Sequence, residues 1–126
     1  MSIELKELQA LELWRRAVVA GIHRAAPDLS QRQMAVLLGV YLTPPPHAVR
    51  GLARDLRISK PAVTRALDRL GGLEFLRRKT DQDDRRSVLL QRTVKGSVFL
   101  REFGELIVNA ANRDAMGDAS VLPQGY

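Results

Sequence analysis

The chain contains no cysteine, only two histidines and no long apolar run. Without cysteine, neither a disulfide framework nor a cysteine-based metal site can form. His23 and His47 have no Asp, Glu or Cys pattern at ligand spacing, so we predict no metal ion and no cofactor. No apolar run approaches the roughly 20 residues of a membrane span, and glutamates interrupt the N-terminal leucines, unlike in a signal peptide. We therefore expect a cytoplasmic protein that does not bind membranes.

A pattern typical of catalysis is also missing. Nothing in the sequence supplies a nucleophile with a paired base and an orienting third group, and no glycine-rich phosphate loop is present. We therefore predict that the chain is not an enzyme. With 45% apolar residues among 126, it has the composition of one globular domain with its own core.

The excess positive charge is confined to the middle third of the chain. Residues 50–92 contain twelve Lys or Arg and six Asp or Glu, a net of +6, whereas the remaining residues contain eight of each sign. Charge gathered in one segment is typical of a surface that binds a polyanion such as nucleic acid. A basic surface that serves only solubility is the alternative.

The first 42 residues predict two helices. The first covers residues 3–24, and its apolar stripe is wider than one small core requires. Ser30 is an N-cap for the second, which runs from residue 31 to about residue 41. The inner face of this second helix is predicted to consist of Met34, Leu37, Leu38 and Tyr41.

Prolines and a serine cap delimit the next two helices. Residues 43–47 contain three successive prolines, which cannot continue a helix. We interpret this segment as a rigid spacer rather than as a ligand for an aromatic groove. A short helix is predicted at residues 49–56, and another at residues 60–70, where Ser59 is the N-cap and Pro61 lies in the first turn. The buried stripe of the latter helix is predicted to be Val63, Ala66, Leu67 and Leu70.

The rest of the chain predicts a hairpin and a last helix. Strands at residues 74–79 and 87–91 flank a polar loop at residues 80–86. Thr93 caps a helix that continues to about residue 116. The predicted fold is mainly α with a small β-hairpin wing (α+β), a winged helix-turn-helix. We expect a dimerisation helix at 1–28, a DNA-binding core at 29–93, a second dimerisation helix at 94–117 and a tail at 118–126.

The helix at residues 60–70 suits the major groove of DNA. That groove admits one helix, whose N-terminal residues must be small, polar or cationic to reach base edges. The candidates for base reading are Ser59, Lys60, Pro61, Thr64 and Arg65. Arg65 is the best candidate for a bidentate contact with guanine, and the thymine methyl group could pack against Pro61 or Thr64.

The hairpin loop suits the minor groove. Arg85 and Arg86 lie at its tip, and arginines are attracted to the negative potential of a narrow minor groove. We expect at least one of Asp81, Asp83 and Asp84 to pair with or hydrogen-bond a neighbouring arginine and so fix its direction. Phosphate contacts, which set affinity and register, are predicted for Arg50, Arg54, Arg69, Lys79 and Arg92.

Four segments resemble the MarR family of transcriptional regulators. In chain order they are LSQRQ at 29–33, LRISKPAVTRALDRL at 56–70, RRKTDQDDRRSVLL at 77–90 and TVKG at 93–96. They are similar to the start of the family's second helix, its recognition helix, its wing and the start of the helix after the wing. The resemblance extends from about residue 29 to residue 106, and the Val-Thr-Arg helix with the Asp-Arg-Arg wing makes it fairly specific.

The resemblance implies a homodimer, built from the terminal helices, that binds a palindromic operator. It assigns groove reading to Ser59, Lys60, Pro61, Thr64 and Arg65 and the wing-tip contact to Arg86. Many family members release DNA when a small aromatic effector or an oxidant reaches them, and the absence of cysteine excludes the cysteine-based oxidant response here.

Three departures from the family pattern have structural consequences. The family usually has glycine at Arg57, so this residue must adopt a positive φ or the turn must differ. The family also has glycine at Glu74, whereas this chain has Gly71 and Gly72, and we expect the preceding helix to end early. Finally, only about one helix fits after the wing, where family members usually have two.

Two other functions compete with a sequence-specific regulator. A winged-helix module could dock its basic face on an acidic protein, and an architectural protein could bind DNA without sequence preference. The helix at residues 60–70 carries no aromatic or Met anchor, which argues against protein docking. Trp14 lies on the apolar stripe of the first helix, and we interpret it as a core or dimer-interface residue rather than a ligand-stacking one.

Overall fold

Five helices and a two-stranded antiparallel hairpin make up the described fold. The computed structural model describes residues 5–116. In chain order its elements are α1 (Glu7–His23), α2 (Gln31–Leu42), α3 (Val49–Leu56), α4 (Lys60–Gly72), β1 (Leu76–Thr80), β2 (Val88–Arg92) and α5 (Val94–Met116). The predicted fold class is confirmed. None of the helices in these residues is long and apolar enough to cross a membrane. The tail predicted at 118–126 lies outside the described residues.

The chain forms two compact units. One unit is continuous and covers Leu29–Leu100. The other combines residues 1–28 with residues 101–126, of which 5–28 and 101–116 are described. In this second unit the Arg24 guanidinium lies 6.0 Å from the centroid of the Phe103 ring. The dimerisation roles predicted for the terminal helices stay predictions.

The core of the 29–100 unit is formed mainly by α2 and α4. The largest fully buried side chains are Val36, Leu37, Val40, Val63, Leu67 and Leu70. On α4 the buried stripe is the predicted one. On α2 the prediction is partly wrong, because Val36 and Val40 are buried while Met34, Leu38 and Tyr41 are only half-buried. Apolar residues occupy most positions of α2, on all sides of the helix, so periodicity alone did not identify the centre of its buried face.

The starts of α2, α4 and α5 are capped by a side-chain hydroxyl, whereas the N-cap residues of α1 and α3, Lys6 and Ala48, make no such side-chain bond. Ser30 accepts a hydrogen bond from the Gln33 backbone N–H at 3.1 Å, and Thr93 Oγ1 accepts one from the Gly96 N–H at 2.9 Å, so both predicted caps are confirmed. The first helix begins at Glu7 instead of residue 3. Its start is set by Lys6, whose extended backbone places its N–H 3.1 Å from Gln9 Oε1.

In the turn between α3 and α4, Arg57 stands where the family usually has glycine, and of the two predicted alternatives it adopts the positive φ. Arg57 adopts the left-handed region, with φ 55° and ψ 44°. The Ile58 N–H then donates to the Ala53 carbonyl at 3.1 Å, which closes the end of α3. A non-glycine residue in this region costs about 1 kcal/mol, so the tight turn is kept at a small expense in stability.

The expected early end of α4 is wrong, because the helix continues through Gly72. The left-handed residue that ends it is Glu74, with φ 63°. The Phe75 N–H donates to the Leu70 carbonyl at 2.9 Å, and both side chains are buried. This anchored termination outweighs the low helix propensity of the two glycines.

The wing strands lie slightly later in the chain than predicted. The antiparallel register pairs Leu76 with Arg92, Arg77 with Gln91, Arg78 with Leu90, Lys79 with Leu89 and Thr80 with Val88. Leu76 and Leu90 are buried, so the first and third pairs anchor the hairpin to the core. Register in a hairpin depends on which residues find burial, and the polar loop gave no signal for it.

The proline connector extends the wing on its outer side. Residues 43–47 are not helical, as predicted. The His47 carbonyl accepts a hydrogen bond from the Leu90 N–H at 2.8 Å, and Ala48 forms a bridge with Leu89. His47 itself is buried, with Nε2 3.1 Å from the Thr43 carbonyl oxygen. The connector therefore fixes β2 as well as spacing α2 from α3.

The Tyr41 hydroxyl joins three parts of the 29–100 unit. It lies 2.7 Å from the Phe75 carbonyl, to which it donates, and it accepts from the Thr93 N–H at 2.8 Å. The Phe75 and Phe99 rings stack beside this site with centroids 4.4 Å apart. One side chain of α2 thus holds the end of α4 and the start of α5.

Replacing Tyr41 by Phe is expected to lower the free energy of unfolding by about 1–3 kcal/mol, because it leaves the Phe75 carbonyl and the Thr93 N–H without their partner. The ring and its packing are kept, so the loss reports the hydroxyl alone. Urea denaturation of the two proteins measures it. A difference below about 0.5 kcal/mol, the range of ordinary surface substitutions, would show that the hydroxyl does not hold these elements together.

Candidate DNA-binding surface

The first turn of α4 exposes the residues predicted to read bases. Ser59 Oγ accepts a hydrogen bond from the Ala62 N–H at 3.2 Å, and Pro61 lies in the first turn, where no N–H is required. The opposite side of the helix is buried in the core. The side chains left exposed at this end of α4 are those of Ser59, Lys60, Pro61, Thr64 and Arg65.

The exposed side of α4 is joined to the wing by Arg78. This β1 residue donates through Nη2 to the Asp68 carboxylate at 2.5 Å and to the Thr64 carbonyl at 3.4 Å. The contact shows that α4 and β1 present neighbouring parts of one surface. Sequence reasoning singled out neither Asp68 nor Arg78, because their meeting depends on the hairpin register and on where α4 ends.

The acidic residues of the wing loop shape its backbone. Asp84 Oδ1 accepts from the backbone N–H of Arg86 at 3.1 Å, and Asp81 Oδ1 accepts from the backbone N–H of Asp83 at 3.0 Å. These are turns in which an aspartate bonds the backbone two residues on. An Asp does therefore bond a neighbouring arginine, but through its main chain. Within the described residues, the guanidinium groups of Arg85 and Arg86 have no ion-pair partner, and both side chains are exposed.

The five predicted phosphate contacts are all exposed, but they differ in their surroundings. The exposed side chains are those of Arg50, Arg54, Arg69, Lys79 and Arg92. Arg54 Nε lies 3.3 Å from the Asp55 carboxylate. Arg92 donates to the Val40 carbonyl through Nε and to the Thr43 carbonyl through Nη2, both at 2.9 Å. Arg92 thus holds α2 to β2, and any phosphate contact must use its other N–H groups.

Positive charge is concentrated in the 29–100 unit. It contains fourteen Lys or Arg and six Asp or Glu, a net of +8, whereas the residues outside it contain six and eight, a net of −2. An ion pair such as Asp68–Arg78 cancels one charge of each sign, so it leaves the net of +8 unchanged. A net positive surface of this kind attracts the phosphate backbone of nucleic acid without regard to sequence.

A cavity of about 270 Å³ lies between the N-terminus of α2 and the recognition side of α4. Its lining residues are Ser30, Arg32, Gln33, Ala62, Arg65 and Ala66. Arg65 therefore borders an open cavity on one side and solvent on the other. Among the residues described, no cluster of three or more His, Cys, Asp or Glu could hold a metal ion.

The comparisons with known proteins agree with this description. Residues 29–88 match the MarR family. MarR itself is 25% identical, with 87% of this chain and 80% of MarR covered at a TM-score of 0.65. The transcriptional regulator BldR from Sulfolobus solfataricus is 25% identical, with 93% and 90% covered at 0.59. The transcriptional regulator Tm0710 from Thermotoga maritima is 24% identical, with 86% and 72% covered at 0.64.

The fold and the surface together define the class, a winged helix-turn-helix protein of the kind that binds DNA. Within this class, residues 29–88 match the MarR family of transcriptional regulators, and the chain has the fold of MarR. α4 is the recognition helix of that fold, and the β1–β2 hairpin is its wing.

Proposed function

We propose that the chain is a sequence-specific regulator of transcription, acting as a repressor on double-stranded DNA in the cytoplasm. In this proposal α4 enters the major groove and the wing loop enters the adjacent minor groove of a palindromic operator. The observation that carries it is the Arg78 contact, which brings the exposed side of α4 and the wing strand onto one surface of a unit with net charge +8.

Sequence would be read at the N-terminal end of α4. Arg65 would bond guanine O6 and N7, while Pro61 or the Thr64 methyl group would contact thymine. Arg85 and Arg86 would enter the minor groove, where their free guanidinium groups meet the most negative potential. Arg50, Arg54, Arg69, Lys79 and the remaining donors of Arg92 would contact phosphates.

Two features favour this function over the alternatives. The residues exposed at the start of α4 include no aromatic or Met side chain, which a protein-docking face would need as an anchor. They do include side chains that hydrogen-bond base edges, which a nonspecific architectural protein would not require. Binding of a small aromatic effector remains a prediction from the family resemblance. The cavity beside Arg65 is its candidate binding site.

A second copy of the chain would cover the apolar stripe of α1. Leu11, Trp14, Val18 and Ile22 follow one another at three- and four-residue steps, and their exposed fractions are 53%, 54%, 39% and 66%. Four large apolar side chains exposed in one line are typical of an interface. A two-fold dimer would present two recognition helices, which is why we expect an operator with two inverted half-sites.

Light scattering at micromolar concentration is expected to show a dimer. Ile22→Glu should weaken the dimer by about tenfold or more, because a charge would be buried without a partner. His23→Glu is the matched control, since it adds the same charge one residue further along α1, about 100° around the helix, and should leave the dimer intact. A monomeric native chain would contradict the dimer.

Selection of bound fragments from random duplex DNA tests the proposed function. We expect enrichment of one inverted repeat whose half-site centres are about one helical turn, or a multiple of it, apart. A reporter gene placed behind that repeat should be expressed more strongly when the chain is removed. Recovery of unselected sequence would identify an architectural binder, and failure to retain any duplex would favour the protein-docking alternative.

A further inference from the structure

We infer that Asp68 and Arg78 are positioning residues for DNA reading: their ion pair sets the wing at a fixed place beside the recognition helix. This inference rests on the proposed function and concerns how the two reading elements act together. Neither residue is assigned a DNA contact. They act through Arg65 on α4 and through Arg85 and Arg86 on the wing loop.

The pair links α4 to β1 on the exposed surface. Asp68 lies one turn after Thr64 on α4, and Arg78 is the third residue of β1. Arg78 Nη2 reaches both the Asp68 carboxylate and the Thr64 carbonyl, so it contacts the base-reading turn itself. By contrast, the Arg54–Asp55 pair joins neighbours in one helix and orients no second element.

The wing is held from both sides at the level of Arg78. In the hairpin register Arg78 pairs with Leu90, whose side chain is buried and whose N–H donates to the His47 carbonyl at 2.8 Å. The proline connector thus fixes the outer side of the hairpin, and Asp68 fixes the side facing α4. Breaking the Asp68 contact would widen the range of positions that the wing loop takes relative to α4, while the buried Leu76 and Leu90 still hold the strands to the core.

The sign of the charge makes the role of Asp68 testable. It is the only acidic residue in the sequence of α4, and it lies on a surface proposed to face phosphates. Removing a negative charge near a polyanion strengthens binding to every duplex. If Asp68 also positions the wing, its loss has a second effect: the ratio of operator affinity to the affinity for other sequences falls, even though the affinity for every duplex rises.

The experiment compares full-length variants on the selected operator and on a scrambled duplex at one salt concentration. R78Q and D68N break the pair. R77Q is the matched control for the arginine, because Arg77 is the preceding strand residue, points to the other side of β1 and has no ion pair in the described residues. D55N is the control for the carboxylate.

R78Q and D68N should each reduce the ratio of operator affinity to scrambled affinity by about three- to tenfold, since a displaced bidentate contact loses much of its discrimination. R77Q should weaken both duplexes alike, D55N should strengthen both alike, and neither should change the ratio. The double variant D68N with R78Q should lose no more of the ratio than R78Q alone, because R78Q already removes the bonds to both Asp68 and Thr64.

The distance between spin labels on α4 and on the wing loop measures the position of the wing directly, and a change in net charge alone would not alter it. Because the chain has no cysteine, Gly71→Cys on α4 and Gln82→Cys on the wing loop would carry the only labels. A β-carbon at Gly71 meets no atom within 4 Å. The distance distribution should broaden in D68N and R78Q and stay unchanged in R77Q. Because the pair is exposed, we expect D68N and R78Q to have the same melting temperature as the native chain.

The outcomes separate the inference from the proposed function. An operator preference in the native chain that D68N and R78Q leave unchanged would overturn the positioning role while the proposed function stands. A native chain without any sequence preference would overturn both. Reduced preference with a broadened distance distribution in D68N and R78Q alone would establish the pair as the link between helix and wing.

Discussion

Replacing Gly96 by alanine is expected to lower the free energy of unfolding by about 3 kcal/mol, the upper end of the range for overpacking a filled core. Helix propensity alone predicts the opposite sign, since alanine is favoured over glycine in a helix by about 1 kcal/mol. Gly96 is the third residue of α5, and a β-carbon there would overlap the Tyr41 hydroxyl and the Phe75 carbonyl oxygen. The carbonyl belongs to the backbone at the end of α4, so it cannot rotate away as a side chain would.

Urea denaturation of Gly96→Ala and of Gly104→Ala measures this effect within one helix. Gly104 also lies in α5, and a β-carbon there meets no atom within 4 Å. Gly104→Ala should therefore leave the stability unchanged or raise it by up to about 1 kcal/mol. Equal stability of the two alanine variants would show that Tyr41 does not approach α5 as closely as described.

The second large effect is expected for Arg65→Ala, which should remove about 1–3 kcal/mol of base discrimination from each half-site. On a two-fold operator the loss applies twice, so preference for the operator should fall by more than tenfold. Arg54→Ala is the matched control on α3. It should weaken all duplexes about equally and lower the salt slope of binding by about one, as expected for a phosphate contact.

Binding measured on the operator and on single-base variants of it separates the two roles. Arg65→Ala should tolerate changes at one operator position that the native chain rejects. If Arg65→Ala weakens every sequence to the same extent, Arg65 is a phosphate contact and another residue of α4 reads the bases.

Features with a local cause could be predicted from the sequence. The caps at Ser30 and Ser59 depend on hydrogen bonds to residues three positions away, and the bounds of α3 follow from the proline connector and the Arg57 turn. The strand bounds and the end of α4 were missed. They depend on the burial of Leu70 and Phe75 against the rest of the unit, which no short window of sequence contains.

The exposed residues of the candidate site could be predicted from the sequence, but the long-range contacts that hold them in place could not. All twelve predicted DNA contacts are exposed, because helical periodicity and loop polarity already separate solvent-facing positions from core positions. The Arg92 bonds to α2 join residues 49 and 52 positions apart, and the Asp68–Arg78 pair depends on hairpin register. Contacts of this kind are properties of the folded chain.

Hydrogen exchange of the full chain, with and without the selected operator duplex, tests most directly whether α4 and the wing are the DNA-binding surface. We predict slower amide exchange at residues 59–65 and 80–86 when the duplex is bound, and unchanged exchange along α1. Slower exchange confined to α1, or none in α4 and the wing loop at saturating duplex, would contradict the proposed surface.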